Sequence, residues 1–289
     1  MSTHTHTPVM LQETLTYLAP SPGKLFLDAT LGLGGHTAAL ASSGADVIGI
    51  DRDQDAIELA KANLSDKGLM GSVKAYHRPF SSLSELLKEK TLDGALFDLG
   101  VSSLQLDDSS RGFSFKNTAP LDMRMDRGQG VTAEDLIAAL SLKELARLFL
   151  ELGEEPHAKT IARKIVELRK HKPITTTTEL ATLVESLVPR HGKTHPATRI
   201  FQALRMAVNT EREELKAALP SALNLLGVGG VCVVISFHSL EDRIVKRIFS
   251  SLSESWEILT HKPVTPSPLE ISSNPRSRSA KLRAARRKA

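Results

Sequence analysis

The sequence predicts an α/β fold: a parallel, nucleotide-binding sheet of Rossmann-like type, interrupted by an all-helical insertion. Three observations predict it. Apolar runs ending in an acid recur at 25–28, 47–51 and 95–98, with helical stretches between them. A glycine-rich turn, Gly32-Leu33-Gly34-Gly35-His36-Thr37, follows the first run. Strand signals stop over 107–205 and return at Val231-Cys232-Val233-Val234-Ile235. Repeated βα units build parallel sheets whose ligands bind at the carboxyl ends of strands, where Asp28, Asp51 and Asp98 all fall.

The elements follow in order. A strand over 25–27 ends in Asp28, and small residues over 37–42 form a helix. A second strand over 47–50 ends in Asp51. The next helix shows apolar Ile57, Leu59, Ala60 and Leu64 and closes at Gly68. A strand at 73–77, a short helix at 81–90 and a strand at 95–97 complete the first part. Capping boxes at Thr132…Asp135, Ser141…Glu144 and Thr176…Glu179 open helices in the insertion. Gly153 stops the second of these, a basic helix over 157–170 ends before Pro173, and Pro196 starts a helix over 197–208. Thr210…Glu213 caps a helix broken or kinked near Pro220 and ending at Gly227; Ser239…Asp242 caps a basic helix over 243–249. Segments 256–259 and 280–283 read as a final strand pair joined by the Pro/Ser-rich 263–279. The expected organisation is a core over 1–106, an insertion over 107–205 and a second part of the core over 206–289.

The glycine turn also bears on the ligand. A dinucleotide fingerprint needs glycine at the sixth position, and here that position is Thr37. A ligand with a ribose and no phosphate, such as S-adenosylmethionine, fits better. Asp51 is placed to accept from both ribose hydroxyls.

Composition narrows the class. With 289 residues, 41% hydrophobic and 24% charged, the chain has the make-up of a soluble globular protein of one large or two modest domains. No apolar run reaches membrane-spanning length and Met1-Ser2-Thr3-His4 has no signal-peptide character, so a cytoplasmic protein without a membrane partner is expected. His4 and His6 read as a disordered terminus. The single cysteine, Cys232, excludes disulfides within the chain and thiolate-rich metal sites, and no metal is expected. Its apolar setting reads as a core strand. The net charge of +4 is uneven: 275–289 holds seven basic residues and no acid. That basic tail is either solvated or a phosphate contact.

Eight segments resemble one family in order along the chain. They are His6-Thr7-Pro8-Val9-Met10, Asp28-Ala29-Thr30-Leu31-Gly32-Leu33-Gly34-Gly35-His36, the run 98–107 from Asp98-Leu99-Gly100-Val101 onward, Arg111-Gly112-Phe113-Ser114-Phe115, Leu121-Asp122-Met123-Arg124-Met125, His195-Pro196-Ala197-Thr198-Arg199, Ser236-Phe237-His238-Ser239-Leu240-Glu241-Asp242-Arg243 and Asn274-Pro275-Arg276-Ser277-Arg278-Ser279. Together they resemble the bacterial RsmH (MraW) family of S-adenosylmethionine-dependent 16S rRNA cytidine N4-methyltransferases. The resemblance implies a class I methyltransferase core with an inserted substrate domain. It implies 16S rRNA, within the small ribosomal subunit, as partner. It also implies a cofactor site at Gly34, Gly35, His36, Asp51, Phe80, Asp98 and Gln105. Phe80, after the third strand, reads equally as an adenine platform or a core residue, and Gln105 rests on the family alone.

The chemistry is that of alignment, because the cofactor carries an activated methyl group. Methylation of carbon 5 of cytosine needs a cysteine that adds to the ring, and the one cysteine sits in a strand. A nitrogen or oxygen acceptor remains. Asp98 is the best-placed acid to take up charge as an amine loses its proton. The usual Asp/Asn-Pro-Pro-aromatic of amino-methyltransferases is Asp98-Leu99-Gly100-Val101 here, so Asp98 faces either the base or the cofactor. Ser102, Ser236 and His238 are further substrate candidates near strand ends, with His238 alternatively a turn residue before a capped helix. Arg111, Arg124, Arg199 and Arg243 are candidate RNA contacts. The competing functions are an amino-methyltransferase acting on another nucleic acid and a non-catalytic ribosome-assembly RNA-binding protein.

Overall fold

The computed structural model describes residues 7–88, 91–128, 130–190 and 195–289. His4, His6 and the last two residues of the expected 81–90 helix lie outside them. The chain forms two compact units, one of residues up to 100 with 212–289 and one of 101–211.

The first unit begins with α1 (Leu11–Leu18), β1 (Leu25–Asp28), α2 (Gly35–Ser42), β2 (Asp46–Asp51), α3 (Gln54–Asp66), β3 (Val73–His77), α4 (Leu83–Leu86) and β4 (Leu92–Asp98). The second unit contributes α5 (Ser103–Asp107), α6 (Ala133–Ala139), α7 (Leu142–Gly153), α8 (Ala158–Leu168), α9 (Thr177–Leu187) and α10 (Thr198–Val208). The chain ends with α11 (Glu211–Leu225), β5 (Leu226–Ser236), α12 (Ser239–Ser250), β6 (Trp256–Ile258), α13 (Pro268–Ser273) and β7 (Lys281–Arg287).

One sheet carries the first unit, in the order β3-β2-β1-β4-β5-β7-β6. The strands from β3 to β5 are parallel, and β7 enters antiparallel between β5 and β6. Neighbouring residues go to opposite faces, as a strand's period of two requires. Leu27, Phe97, Cys232 and Val234 pack with Leu219 and Leu223 of α11 and Val245 of α12. Phe26, Leu96, Val233 and Leu282 pack with Leu18 of α1 and Leu40 of α2. Both faces are covered, which explains why the strands read as near-continuous apolar runs. This is the Rossmann-like α/β fold that the sequence predicts.

Local signals set most element ends. The three capping boxes form as expected at Thr132, Ser141 and Thr176. Gly68 ends α3 with a φ of +68°, a conformation that only glycine adopts freely. Four expectations change. The 81–90 helix shrinks to a 3₁₀ turn at Phe80–Ser82 and the single turn of α4. Thr210 has a φ of +47° rather than the extended backbone of a cap, and α11 runs on through Pro220 because Leu219, Ala222 and Leu223 are held in the core. His238, with extended backbone, caps α12 in place of Ser239.

The fourth change is the largest. The expected strand pair of 256–259 and 280–283 forms as β6 and β7, but β7 runs on to Arg287 through much of the basic tail, with Leu282, Ala284 and Ala285 fully buried between β5 and β6. Its cations are paired within the sheet unit. Arg283 Nε donates to Asp242 Oδ1 at 2.6 Å, Arg286 meets Glu257, and Arg287 Nη1 donates to the Leu226 carbonyl. Four of the seven basic residues read as tail therefore lie on β7.

The second unit packs Leu145 and Phe149 of α7, Ile161 and Ile165 of α8, Leu180 and Val184 of α9, and Ile200 and Leu204 of α10 into its own core. Among the described residues it contains no strand, only an isolated bridge between Pro120 and Thr176. It is wider than 107–205 because its carboxyl end is tied internally. Asn209 accepts from Met125 N and donates to the Met123 carbonyl, and Arg205 makes a bidentate pair with Glu211.

Candidate active site

The carboxyl ends of β1, β2 and β4 bring Asp28, Asp51 and Asp98 to one edge of the sheet, with the glycine turn leaving β1 beside them. The turn is pinned from both sides. Leu31 N donates to the Ile50 carbonyl, and Gly32 N donates to Asp51 Oδ2 at 2.8 Å. Gly34, at a φ of +79°, turns the chain into α2. Gly35 has a different reason. A Cβ there would stand 2.5 Å from Cγ of Pro8, so its bare Cα makes room for the segment leading into α1. That segment is held by the carboxyl-terminal half: Met10 N donates to Glu270 Oε1 at 2.7 Å, and Asn274 donates to the Thr7 carbonyl. The sequence reading assigned both glycines to the ligand and missed Pro8. No local signal links residues 260 or more positions apart.

Asp28 is almost fully buried and is engaged within the protein. Its Oδ1 accepts from Thr30 N and its Oδ2 from the Thr37 hydroxyl at 2.7 Å. Burial raises its pKa, against the opposing pull of His36 and these hydrogen bonds. Thr30 carries the link onward, since Asp98 N donates to Thr30 Oγ1 at 2.7 Å. The acid at the end of β1 thus fixes the end of β4. Thr37, the residue that spoils the dinucleotide fingerprint, is used by Asp28.

Asp98 has a different environment. Its Oδ2 lies 3.6 Å from His36 Nε2, whereas its Oδ1 is buried with no hydrogen-bond partner. Asp51 uses one lone pair of each oxygen, on Gly32 N and Asp53 N at 2.8 and 2.9 Å, and each oxygen keeps another. Burial pushes its pKa up to about 6, against those two hydrogen bonds. Phe80 is half-buried, with its ring edge-on to Phe97 at 5.9 Å between centroids, so it is partly core and partly open. Gln105 belongs to the helical unit. There its Oε1 accepts from Ser102 N while Ser102 Oγ accepts from Gln105 N, a capping box that starts α5.

The sequence profile of the MraW methylase family matches residues 3–288. The chain belongs to the MraW methylase family. It is 47% identical to the ribosomal RNA small subunit methyltransferase H of Caldicellulosiruptor saccharolyticus, over 97% of this chain and 98% of that one. It is 45% identical to the protein of the same name from Magnetococcus marinus, over 98% of each chain. Among solved structures, a Clostridium thermocellum protein assigned as an rRNA methylase shares the fold, with a TM-score of 0.51 at 14% identity over 98% of this chain and 99% of that one.

Within this methylase the residues named for substrate divide. Arg111 is not a surface contact: it is 1% exposed and donates through Nη2 to the carbonyls of Arg124 and Met125. A buried guanidinium organises the loop that the sequence reading gave to RNA. Arg124 forms a bidentate pair with Asp122, through Nε and Nη2 at 2.8 and 2.9 Å. Ser236 is buried and its hydroxyl donates to the Lys281 carbonyl. His238 is the turn residue of the alternative reading, with Nδ1 accepting from Glu241 N and Nε2 3.1 Å from Glu241 Oε1. Arg199 and Arg243 are exposed on α10 and α12. Cys232 is fully buried in β5, and burial raises its thiol pKa far above the ordinary range.

Proposed function

We propose that this methyltransferase transfers a methyl group from S-adenosylmethionine to the N4 amine of a cytidine in the decoding region of 16S rRNA, acting on the small ribosomal subunit in the cytoplasm. The observation that carries the reading is Asp98: a carboxylate at the end of β4, beside the glycine turn, with one buried oxygen that has no partner. A buried acceptor without a donor is costly, and a ligand N–H satisfies it. The family and its small-subunit rRNA methyltransferase relatives support the substrate class.

The residues fit the cofactor. Asp51 offers two oxygens to the ribose hydroxyls, Gly34 keeps the turn open, and the half-open Phe80 ring suits adenine. Gln105 enters on family resemblance alone. When bound, S-adenosylmethionine supplies a methyl carbon on a sulfonium leaving group. Asp98 Oδ1 accepts the N–H of the attacking amine and takes its proton as the new C–N bond forms. The helical unit, with exposed Arg199 and the basic α8, recognises the RNA, and exposed Arg243 of α12 is a separate candidate contact on the sheet unit. Among the described residues no helix is long and apolar enough to cross a membrane.

Nucleoside mass spectrometry of 16S rRNA recovered from small ribosomal subunits incubated with the enzyme and labelled cofactor tests this directly. N4-methylcytidine is the expected product, and the Cys232→Ala enzyme, if folded, is expected to make it at an unchanged rate. A 5-methyl product, a modified DNA base or no methyl transfer at all would each overturn the reading.

Asp51 gives a second test. Its raised pKa means that the ionised form, which the ribose hydroxyls prefer, is populated as pH rises through about 6. The sign for folding is opposite. The stability Asp51 contributes is present below the ordinary carboxylate range and is lost as pH rises through about 6. Cofactor affinity, measured by calorimetry, is therefore expected to be about tenfold weaker at pH ~5 than at pH ~7.5. Asp51→Ala should bind about ten- to a hundredfold more weakly than wild type at neutral pH and lose the pH dependence. A flat wild-type profile would remove Asp51 from the ribose site.

A further inference from the structure

Three ionisable side chains meet at the strand ends: Asp28 on β1, His36 on α2 and Asp98 on β4. Asp28 is 1% exposed and His36 is 6% exposed. Asp28 is enclosed by the protein and accepts there from Thr30 and Thr37. His36 is different. Both ring nitrogens are buried and neither completes a hydrogen bond, although Nε2 stands 3.6 Å from Asp98 Oδ2. A histidine that only filled space would not face two carboxylates, because an apolar side chain of that volume costs less to bury.

We infer that His36 is a positioning residue for methyl transfer: its imidazole ring fixes the Asp98 carboxylate through Oδ2 and leaves Oδ1 ready to accept a ligand N–H. The inference rests on the function proposed above for Asp98. Two carboxylates sharing a buried patch repel, and a cation that faces both relieves the repulsion. His36 supplies that charge. Burial alone would lower its pKa, but Asp98 and then Asp28 outweigh burial and raise it. The charged groups that face it are these two acids, from β1 and β4, and the amino-terminal segment adds only the Val9 backbone. Asp98 is then held at two points, by Thr30 Oγ1 on its backbone N–H and by His36 on its carboxylate.

In the function proposed above the donor to Oδ1 is the exocyclic amine of the base, and the amine at the cofactor's methionine end is the alternative that the test separates. Nitrogen-15 NMR of the substrate-free protein tests the pair without any assumption about RNA. His36 is expected to show imidazolium shifts at neutral pH, and Asp98→Asn should lower its titration by about one to three pH units. In the enzyme, His36→Gln should move the acid limb of the kcat profile up by about one to three pH units while leaving KM for RNA unchanged. A change of packing alone would not produce that shift. If His36→Gln also weakens S-adenosylhomocysteine binding, Oδ1 serves the cofactor amine; if affinity is kept and only kcat moves, it serves the base. A neutral His36 at pH ~7 that is indifferent to Asp98→Asn overturns the inference. So does an unchanged acid limb in a folded His36→Gln enzyme. Failure to methylate RNA with the NMR coupling intact overturns only the reading of the substrate.

Discussion

Removing Ala284 to Ala289 is expected to abolish the folded sheet unit. The deletion takes the second half of β7, where Ala284, Ala285 and Arg286 pair with Val233, Cys232 and Val231 of β5. It also takes every partner of β6, since Ile258, Glu257 and Trp256 pair with Ala285, Arg286 and Arg287. Thr260 loses its bond from Ala284 N, and the Leu226 carbonyl loses Arg287. These losses together approach the ~5–15 kcal/mol by which whole domains are stable. Circular dichroism melts should show no cooperative transition for this unit, and cofactor binding should vanish with it. Arg286→Gln with Lys288→Gln removes charge while keeping the strand, and should melt near wild type. A truncated chain with the full melting temperature would mean that β7 is dispensable. If the charge variant alone lost RNA affinity, the basic residues would act on phosphate as well as on the sheet.

Asp98→Asn is expected to lower kcat by about a hundred- to ten-thousandfold, the usual range for a group that takes a proton in the transition state. The amide is nearly isosteric, so Thr30 keeps its bond from the backbone of residue 98. What is lost is the acceptor at Oδ1 and the charge that faces His36. Single-turnover kinetics with saturating RNA and cofactor separates this from binding. A fall confined to cofactor affinity, with the single-turnover rate intact, would make Asp98 a binding residue only. An unchanged rate and affinity would take it out of the site.

Both predictions turn on residues whose position in the chain was easy to read and whose surroundings were not. The start of β7 and its pairing with β6 are legible as a strand pair, but 284–287 is short and interleaved with arginines, and pairing with β5, some fifty positions away, is invisible to local pattern. The surroundings of Arg111 are hidden in the same way. An arginine in a loop is ordinarily solvated, and only the folded chain brings the carbonyls of Arg124 and Met125 around it. The packing of Pro8 against Gly35 is likewise a contact that only the folded chain makes.

The sequence by itself determined the sheet, because strand-end acids, a glycine turn and capping boxes are local and each acts within a few residues. It determined the family through ordered segments along nearly the whole chain. It also read the lone thiol as a core residue, since Cys232 stands within an unbroken apolar run, and the structure buries it fully. The tertiary structure alone decided which charges are spent and which are open. Asp28, Arg111, Arg124 and Arg283 bond to groups of the folded chain, namely Thr37, the Met125 carbonyl, Asp122 and Asp242 in turn. Asp98 keeps a buried carboxylate oxygen with no hydrogen-bond partner. The reason is physical. Burial and hydrogen-bond satisfaction depend on three-dimensional neighbours, and they decide whether a side chain of a given type holds the fold together or is left to meet a ligand.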